Sequence, residues 1–267
     1  MHELITEKLR TAYDDTIGDV HRKLASELRD RDRNSIQLQN KYDELHELNH
    51  FSPVLGARID PRLTSKTLNT RSVFNPLTWA NSNDNGPITA LQLWQEAGDC
   101  WCARPKPNSN IKAQLGVRMG QNINPHDFVV EHLPKYGAAD ISSAPKDLEF
   151  WIKTPSEEHA RAVHEIVSFR MTRHKTDLCK TSPPSPDYVC IGTGTYLING
   201  RNWVQRYRSF LQLEDLPMGS SKLVFRVTST WGSKHTCLYR VRVTGEDVAV
   251  GLREGQRRHY YMGKHDR

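Results

Sequence analysis

The chain has 267 residues, a formal net charge of +6 and a mean hydropathy of −0.67. This length suits one large domain, or one domain with an appendage. No run of about 18 apolar residues occurs, so no segment is expected to span a membrane, and the charged start MHELITEKLR is not a signal peptide. Lysine and arginine are scattered, except in the tail GLREGQRRHYYMGKHDR, so a solvated basic surface is expected rather than a nucleic-acid partner.

Residues 1–50 have a helical pattern. The apolar residues Tyr13, Ile17, Val20, Leu24 and Leu28 recur every three or four positions, and a second stripe follows with Leu38, Tyr42, Leu45 and Leu48. The charged stretch RDRDRN separates the two stripes. Thin amphipathic helices of this kind need a partner, which can be their own domain, each other, or other chains in a coiled coil. Self-association is the preferred interpretation.

The chain from residue 51 to residue 246 has a β pattern. The stretch IKAQLGVRM alternates apolar and polar residues, and further strands are predicted at FVVEHL, LEFWI, KLVFRVTS and CLYRVRVTG. One local helix is predicted at SEEHARAVHEI and a proline-rich loop at KTSPPSPD. Many short strands separated by turn residues favour a mainly β fold, an antiparallel sandwich or jelly roll. Residues 247–267 form the basic tail.

The five cysteines are Cys100, Cys102, Cys179, Cys190 and Cys237. No CxxC pair occurs, which argues against a zinc ribbon or a thioredoxin-like site. Buried thiols and disulfides both remain open, although Cys179 and Cys190 flank the proline-rich loop and are a natural pair. Disulfides would indicate an oxidising compartment.

Enzymatic activity is not expected, because the sequence contains no GxSxG or HExxH motif and no acid pair in a convincing context. A carbohydrate-binding, lectin-like β-sandwich is the alternative function. Six tryptophans are available for stacking on a sugar face.

Four motifs in one order resemble the SUN domain of nuclear-envelope proteins, in a form closest to fungal members. They are AGDCWCA (97–103), VVEHLPK (129–135), SSAPKDLEFW (142–151) and TCLYRVRVTG (236–245). The resemblance covers roughly residues 51–246. It implies a β-sandwich at the end of a helical coiled coil, assembled as a homotrimer.

The resemblance also implies a function and a location. SUN domains lie in the perinuclear space and bind the C-terminal tail of KASH proteins of the outer nuclear membrane. The pair forms the LINC bridge between nucleus and cytoskeleton. The chain is therefore expected to be the lumenal part of an inner nuclear membrane protein whose membrane anchor lies upstream. An autoinhibited monomer, with the helices packed on the SUN domain, is the alternative to the trimer.

By the same resemblance, Cys100 is expected to pair with Cys237, which leaves Cys102 as a buried thiol. The loop before Cys100 is expected to wrap a potassium or sodium ion, mainly through backbone carbonyls. The residues assigned to this cation loop are Gln92, Trp94, Asp99, Cys237 and Tyr239. Trp94 stands where the family has a more polar residue.

The peptide pocket follows from the same comparison. His132, Ser143 and Tyr239 match the family's carboxylate pocket, and His235 stands where animal members have a tyrosine. A C-terminal carboxylate needs hydrogen-bond donors at a fixed point. Residues 68–89 resemble the lid over the peptide, with Trp79 as its aromatic residue. Animal members carry a cysteine upstream of the lid that bonds covalently to the KASH chain. This chain has no cysteine between residues 1 and 99, so that covalent bond is not expected.

Overall fold

The computed structural model describes residues 2–68, 85–105, 107 and 109–248. It has two compact units, Met1–Glu47 and Leu48–Arg267. Two α-helices and nine strands are described. They are α1 His2–His46, β1 Arg58–Ile59, β2 Trp101–Ala103, β3 Ala113–Glu131, β4 Asp147–Lys153, α2 Glu157–Arg173, β5 Tyr188–Thr195, β6 Val204–Arg208, β7 Ser220–Val227, β8 Thr236–Leu238 and β9 Arg240–Asp247.

The first unit is one continuous helix of 45 residues, α1. The charged stretch 29–34 was predicted to separate two helices, but it remains helical, since arginine and aspartate do not break a helix as proline or glycine does. The apolar stripe is solvent-exposed where its side chains are described: Ile17, Val20, Leu24, Leu28, Leu38 and Tyr42. No described helix is both long and apolar enough to cross a membrane.

The second unit is built around the 19-residue strand β3, which pairs with different partners along its length. Its first half lies between β1 and β7, and the sheet continues from β7 to β4 and β5. Its second half lies between β6 and β9. All of these pairings are antiparallel, which confirms the predicted mainly β fold.

The two halves enclose an aromatic centre. Phe128 of the second half of β3 stacks on Phe150 of β4, with ring centroids 4.1 Å apart, and Phe225 of β7 lies 5.6 Å from Phe150. All three side chains are essentially fully buried. Each buried ring contributes about 1.5–3 kcal/mol relative to exposure, so this centre fixes the second half of β3 over the sheet.

Helix α2 extends the helix predicted at 156–166. Ser156 caps its first turn through a hydrogen bond from the His159 amide, and Ala160, Val163, Val167 and Met171 form its buried stripe. The following loop is held by the Cys179–Cys190 disulfide, which confirms that predicted pair.

Candidate functional site

The short strand β8 is the element on which the predicted pocket residues meet. It pairs only with β2 among the described strands, in antiparallel register, with Cys102 opposite Cys237. His235 comes directly before β8, and Tyr239 directly after it. The segment 142–145 lies alongside, because Thr236 Oγ1 donates a hydrogen bond to the Ser143 carbonyl at 2.9 Å.

His132 follows β3 and is 2% exposed. Its Nδ1 lies 2.9 Å from the Leu133 carbonyl oxygen, while its Nε2 is buried without a described hydrogen-bond partner. Burial lowers the pKa of His132 below its ordinary value, an effect opposed by the Leu133 carbonyl. The ring is therefore neutral at physiological pH, with one nitrogen available to a ligand.

Tyr239 lies between His132 and Trp94. Its ring meets His132 edge-on with centroids 4.9 Å apart, and it meets Trp94 edge-on at 5.5 Å. The Tyr239 hydroxyl accepts a hydrogen bond from the Gly98 amide at 3.2 Å and donates one to Cys100. Burial raises the pKa of Tyr239, so its hydroxyl stays protonated. Tyr239 thus joins the predicted pocket to the predicted cation loop.

Ser143 and His235 reach the same region from the other end of β8. Ser143 is buried, and its hydroxyl donates to the Asp140 carbonyl at 2.7 Å. His235 is half-buried, with its Nδ1 3.3 Å from the Ser233 hydroxyl. The structure therefore places His132 with Tyr239, and Ser143 with the start of β8. The lid residue Trp79 lies outside the described residues.

The predicted Cys100–Cys237 pair is wrong in this structure. Cys237 is bonded to Cys102, with Cα atoms 4.0 Å apart, and Cys100 is the free cysteine. The register of β2 and β8 explains the difference, because Cys102 lies directly across from Cys237 while Cys100 precedes the strand. Burial raises the pKa of the Cys100 thiol to about 11.

Asp99, the acidic residue assigned to the cation loop, is hydrogen-bonded to backbone amides of that loop. Asp99 Oδ2 accepts hydrogen bonds from the amides of Gln95 and Glu96, at 2.9 and 3.0 Å, and these bonds lower the pKa of Asp99. The Gly98 carbonyl accepts a hydrogen bond from Asn85, and the Trp94 side chain presents a buried N–H rather than an oxygen. Because this carboxylate oxygen already has partners, any coordination would come mainly from backbone oxygens. The monovalent cation stays a prediction.

Comparison with known proteins gives one family. Residues 80–178 match the family model described as Sad1 / UNC-like C-terminal. SUN domain-containing protein 1 of Homo sapiens is 26% identical over 199 residues, and SUN domain-containing protein 5 of Mus musculus is 26% identical over 202 residues. The chain is similar to SUN domain proteins in both comparisons.

These matches cover 73% and 72% of this chain, but only 20% of the human protein and 42% of the mouse protein. The solved structures matched include a family 32 carbohydrate-binding module from Streptococcus pneumoniae, at 12% identity and a TM-score of 0.42, covering 74% of this chain and all of that one. An allantoicase from Saccharomyces cerevisiae has 11% identity and a TM-score of 0.39, and the match covers 75% of this chain and 44% of the allantoicase chain.

Sequence reasoning missed a buried charge cluster beside the candidate pocket. Glu131, directly before His132, accepts hydrogen bonds from Arg242 Nε at 2.7 Å and from Arg240 Nη1 at 3.3 Å. The two arginines alternate in the motif YRVRV and lie on one strand face. Their spacing was a signal for a shared acidic partner, but only the β3–β9 register identifies Glu131 as that partner.

Proposed function

We propose that this SUN domain binds the C-terminal tail of a KASH protein in the perinuclear space, and so forms a LINC bridge between nucleus and cytoskeleton. The observation that carries the proposal is the buried His132 Nε2, which has no described partner and lies beside the Tyr239 ring. A buried polar atom without a partner costs about 1–3 kcal/mol, so a ligand that supplies the missing hydrogen bond binds with that gain.

The chemistry of the pocket residues suits a peptide carboxylate. The protonated hydroxyl of Tyr239 is a hydrogen-bond donor held by surrounding contacts. Neutral His132 donates through Nδ1 to the Leu133 carbonyl, so its Nε2 is an acceptor for a peptide N–H. Ser143 adds a second hydroxyl on the other flank of β8. Fixed donors around a single point are the requirement for capturing a free C-terminus.

The proposal includes a homotrimer formed through α1. Six apolar side chains of its stripe are 38–69% exposed, and an isolated helix of this kind gains stability by burying such a stripe against other helices. The membrane anchor is proposed to lie outside this chain, since the chain spans only part of its curated relatives.

Binding is tested by titrating the full chain with proline-rich peptides that end in a free carboxylate. Tyr239→Phe removes only the hydroxyl, and Ser143→Ala removes only the second hydroxyl. Each is expected to weaken binding about 10-fold, as loss of one hydrogen bond to a charged group does. Unchanged affinity in both variants would contradict the proposed pocket.

The lectin-like alternative gains no support from the tryptophans. Of the described ones, Trp101 and Trp151 are buried, and Trp94, Trp203 and Trp231 are half-buried, so none of them is a fully exposed side chain. A glycan array probed with the same protein separates the two functions directly.

A further inference from the structure

The free thiol of Cys100 lies beside the Cys102–Cys237 disulfide. The sulfur atoms of Cys100, Cys102 and Cys237 all lie within 4.8 Å of one another. We infer that these three cysteines form an exchange triad, in which Cys100 displaces Cys102 from Cys237 and the disulfide alternates between two pairings.

The distance is within reach of a local movement. A disulfide needs its sulfurs about 2.05 Å apart, so the Cys100 sulfur has to approach by less than about 3 Å. Cys100 precedes the first residue of β2 and follows Gly98, which has a φ of +103°. The residues from Gln95 to Gly98 are solvent-exposed. Movement of the Cys100 sulfur toward Cys237 would therefore displace few buried residues of this loop.

The reaction is balanced without an oxidant. The Cys100 thiol gives its proton to solvent, and the thiolate attacks the Cys237 sulfur. The Cys100–Cys237 bond forms as the Cys102–Cys237 bond breaks. Cys102 leaves as a thiolate and takes up a proton. One thiol and one disulfide are present before and after the step.

Attack on Cys237 is favoured over attack on Cys102 for a structural reason. Both pairings to Cys237 join segments about 135 residues apart in sequence and keep a cross-link beside the β2–β8 pair. A Cys100–Cys102 bond would close a ring of three residues only and release Cys237. The longer loop gives the greater stabilisation, so the exchange stays between two cross-linked forms.

The two forms differ at the pocket. With Cys102 paired, the Cys100 thiol accepts a hydrogen bond from the Tyr239 hydroxyl, which also contacts the Gly98 amide. With Cys100 paired, its sulfur moves toward Cys237 and the free thiol belongs to Cys102. The pairing thus changes the contacts of Tyr239. The consequence for peptide affinity rests on the proposed function, but the exchange itself does not.

The exchange is tested by mapping the free thiol in the full chain. Never-reduced protein, and protein refolded from the reduced state in a glutathione buffer, are trapped with N-ethylmaleimide in denaturant at mildly acidic pH. Cleavage with chymotrypsin after Trp101 separates Cys100 from Cys102. The expected result is label on both cysteines, in the same ratio for the two samples.

Two results would overturn the exchange. One is label on a single cysteine in both samples. The other is a labelling ratio that differs between the samples, because disulfides that do not exchange keep the pairing in which they formed. The Cys179–Cys190 disulfide is the internal control and should remain unlabelled. All five cysteines lie in the described part of the chain, and Cys100 is the one left outside a disulfide.

The link to the pocket has its own test. Cys100→Ser fixes the Cys102–Cys237 pairing, and Cys102→Ser fixes the Cys100–Cys237 pairing. The backbone amide resonance of Gly98 is expected to shift between the two variants, because its acceptor Tyr239 changes partners. Identical Gly98 resonances would contradict the coupling, whether or not any peptide binds.

Discussion

Cys102 lies directly opposite Cys237 across the β2–β8 pair, and the two are joined by a disulfide that closes a span of 135 residues. Removing a native disulfide from a small domain costs about 2–5 kcal/mol. Cys237→Ser is therefore expected to lower the free energy of unfolding by that amount in urea titrations. Cys100→Ser leaves the bond intact and is the matched control, with a change below about 0.5 kcal/mol. Equal losses in both variants would contradict the assigned pairing.

Glu131 is the described acidic partner of two buried arginines, Arg240 and Arg242. Glu131→Gln removes the described acidic partner of the buried Arg242 charge, so a loss of about 3–5 kcal/mol in unfolding free energy is expected. Asp127→Asn, on the same strand face, removes the partner of Arg206 in a pair whose side chains are 33% and 27% exposed. Solvent screening limits that loss to at most about 1 kcal/mol. Similar losses of unfolding free energy in the two variants would show that burial of the Glu131 cluster contributes little to stability.

His132 makes stability depend on pH. Burial lowers its pKa below the ordinary value of 6.5, so below that pH the unfolded chain binds a proton that the folded chain does not. Stability contributed by neutral His132 is present above pH 6.5 and is lost as the pH falls toward the lowered pKa, by at most about 1.4 kcal/mol per pH unit. His132→Gln should flatten the stability profile between pH 6.5 and 5 in urea titrations, while the exposed His164→Gln should not. An unchanged slope in His132→Gln would contradict a neutral, buried ring.

The apolar stripe of α1 predicts the oligomeric state. Leu24 and Leu28 are 52% and 53% exposed in the single chain, and burying them between helices would stabilise a trimer. Analytical ultracentrifugation is expected to show a trimer for the full chain and a monomer for the double variant Leu24→Asp, Leu28→Asp. The double variant Arg29→Asp, Asp30→Arg keeps the local net charge and leaves those leucines unchanged, so it is a control. A full chain that stays monomeric at all concentrations, with and without peptide, would contradict the proposed assembly.

The predicted stretches coincide with β3, β4, β7, β8 and β9, because each of these strands is rich in apolar residues that the fold buries. The sequence did not show that IKAQLGVRM and FVVEHL belong to a single strand, β3. The intervening residues include Asn124 and Pro125, which are typical of turns. In the structure they lie in an irregular part of the ladder, where the register shifts between Pro125 and Asp127, and a strand tolerates proline at such positions.

The pocket residues were assigned from short motifs, and their binding role stays a prediction. The cysteine pairing could not be assigned in that way. Whether Cys100 or Cys102 faces Cys237 depends on the register between β2 and β8, which lie more than 130 residues apart in sequence. The Trp94–Tyr239 contact depends on the path of an irregular loop, for which no periodic pattern exists. Local patterns thus predicted elements, and contacts between distant segments required the fold.

The pocket beside Tyr239 is proposed to capture a peptide carboxylate. The most direct measurement is calorimetric titration with one proline-rich peptide as the free acid and as the C-terminal amide, against the unmodified chain and His132→Ala, with His126→Ala as an exposed control. Carboxylate capture predicts binding that weakens roughly 10- to 100-fold on amidation. His132→Ala is expected to weaken binding roughly 10-fold, because it removes the Nε2 acceptor for a peptide N–H, and to retain the amide effect. Equal affinity for acid and amide in the unmodified chain would contradict carboxylate capture.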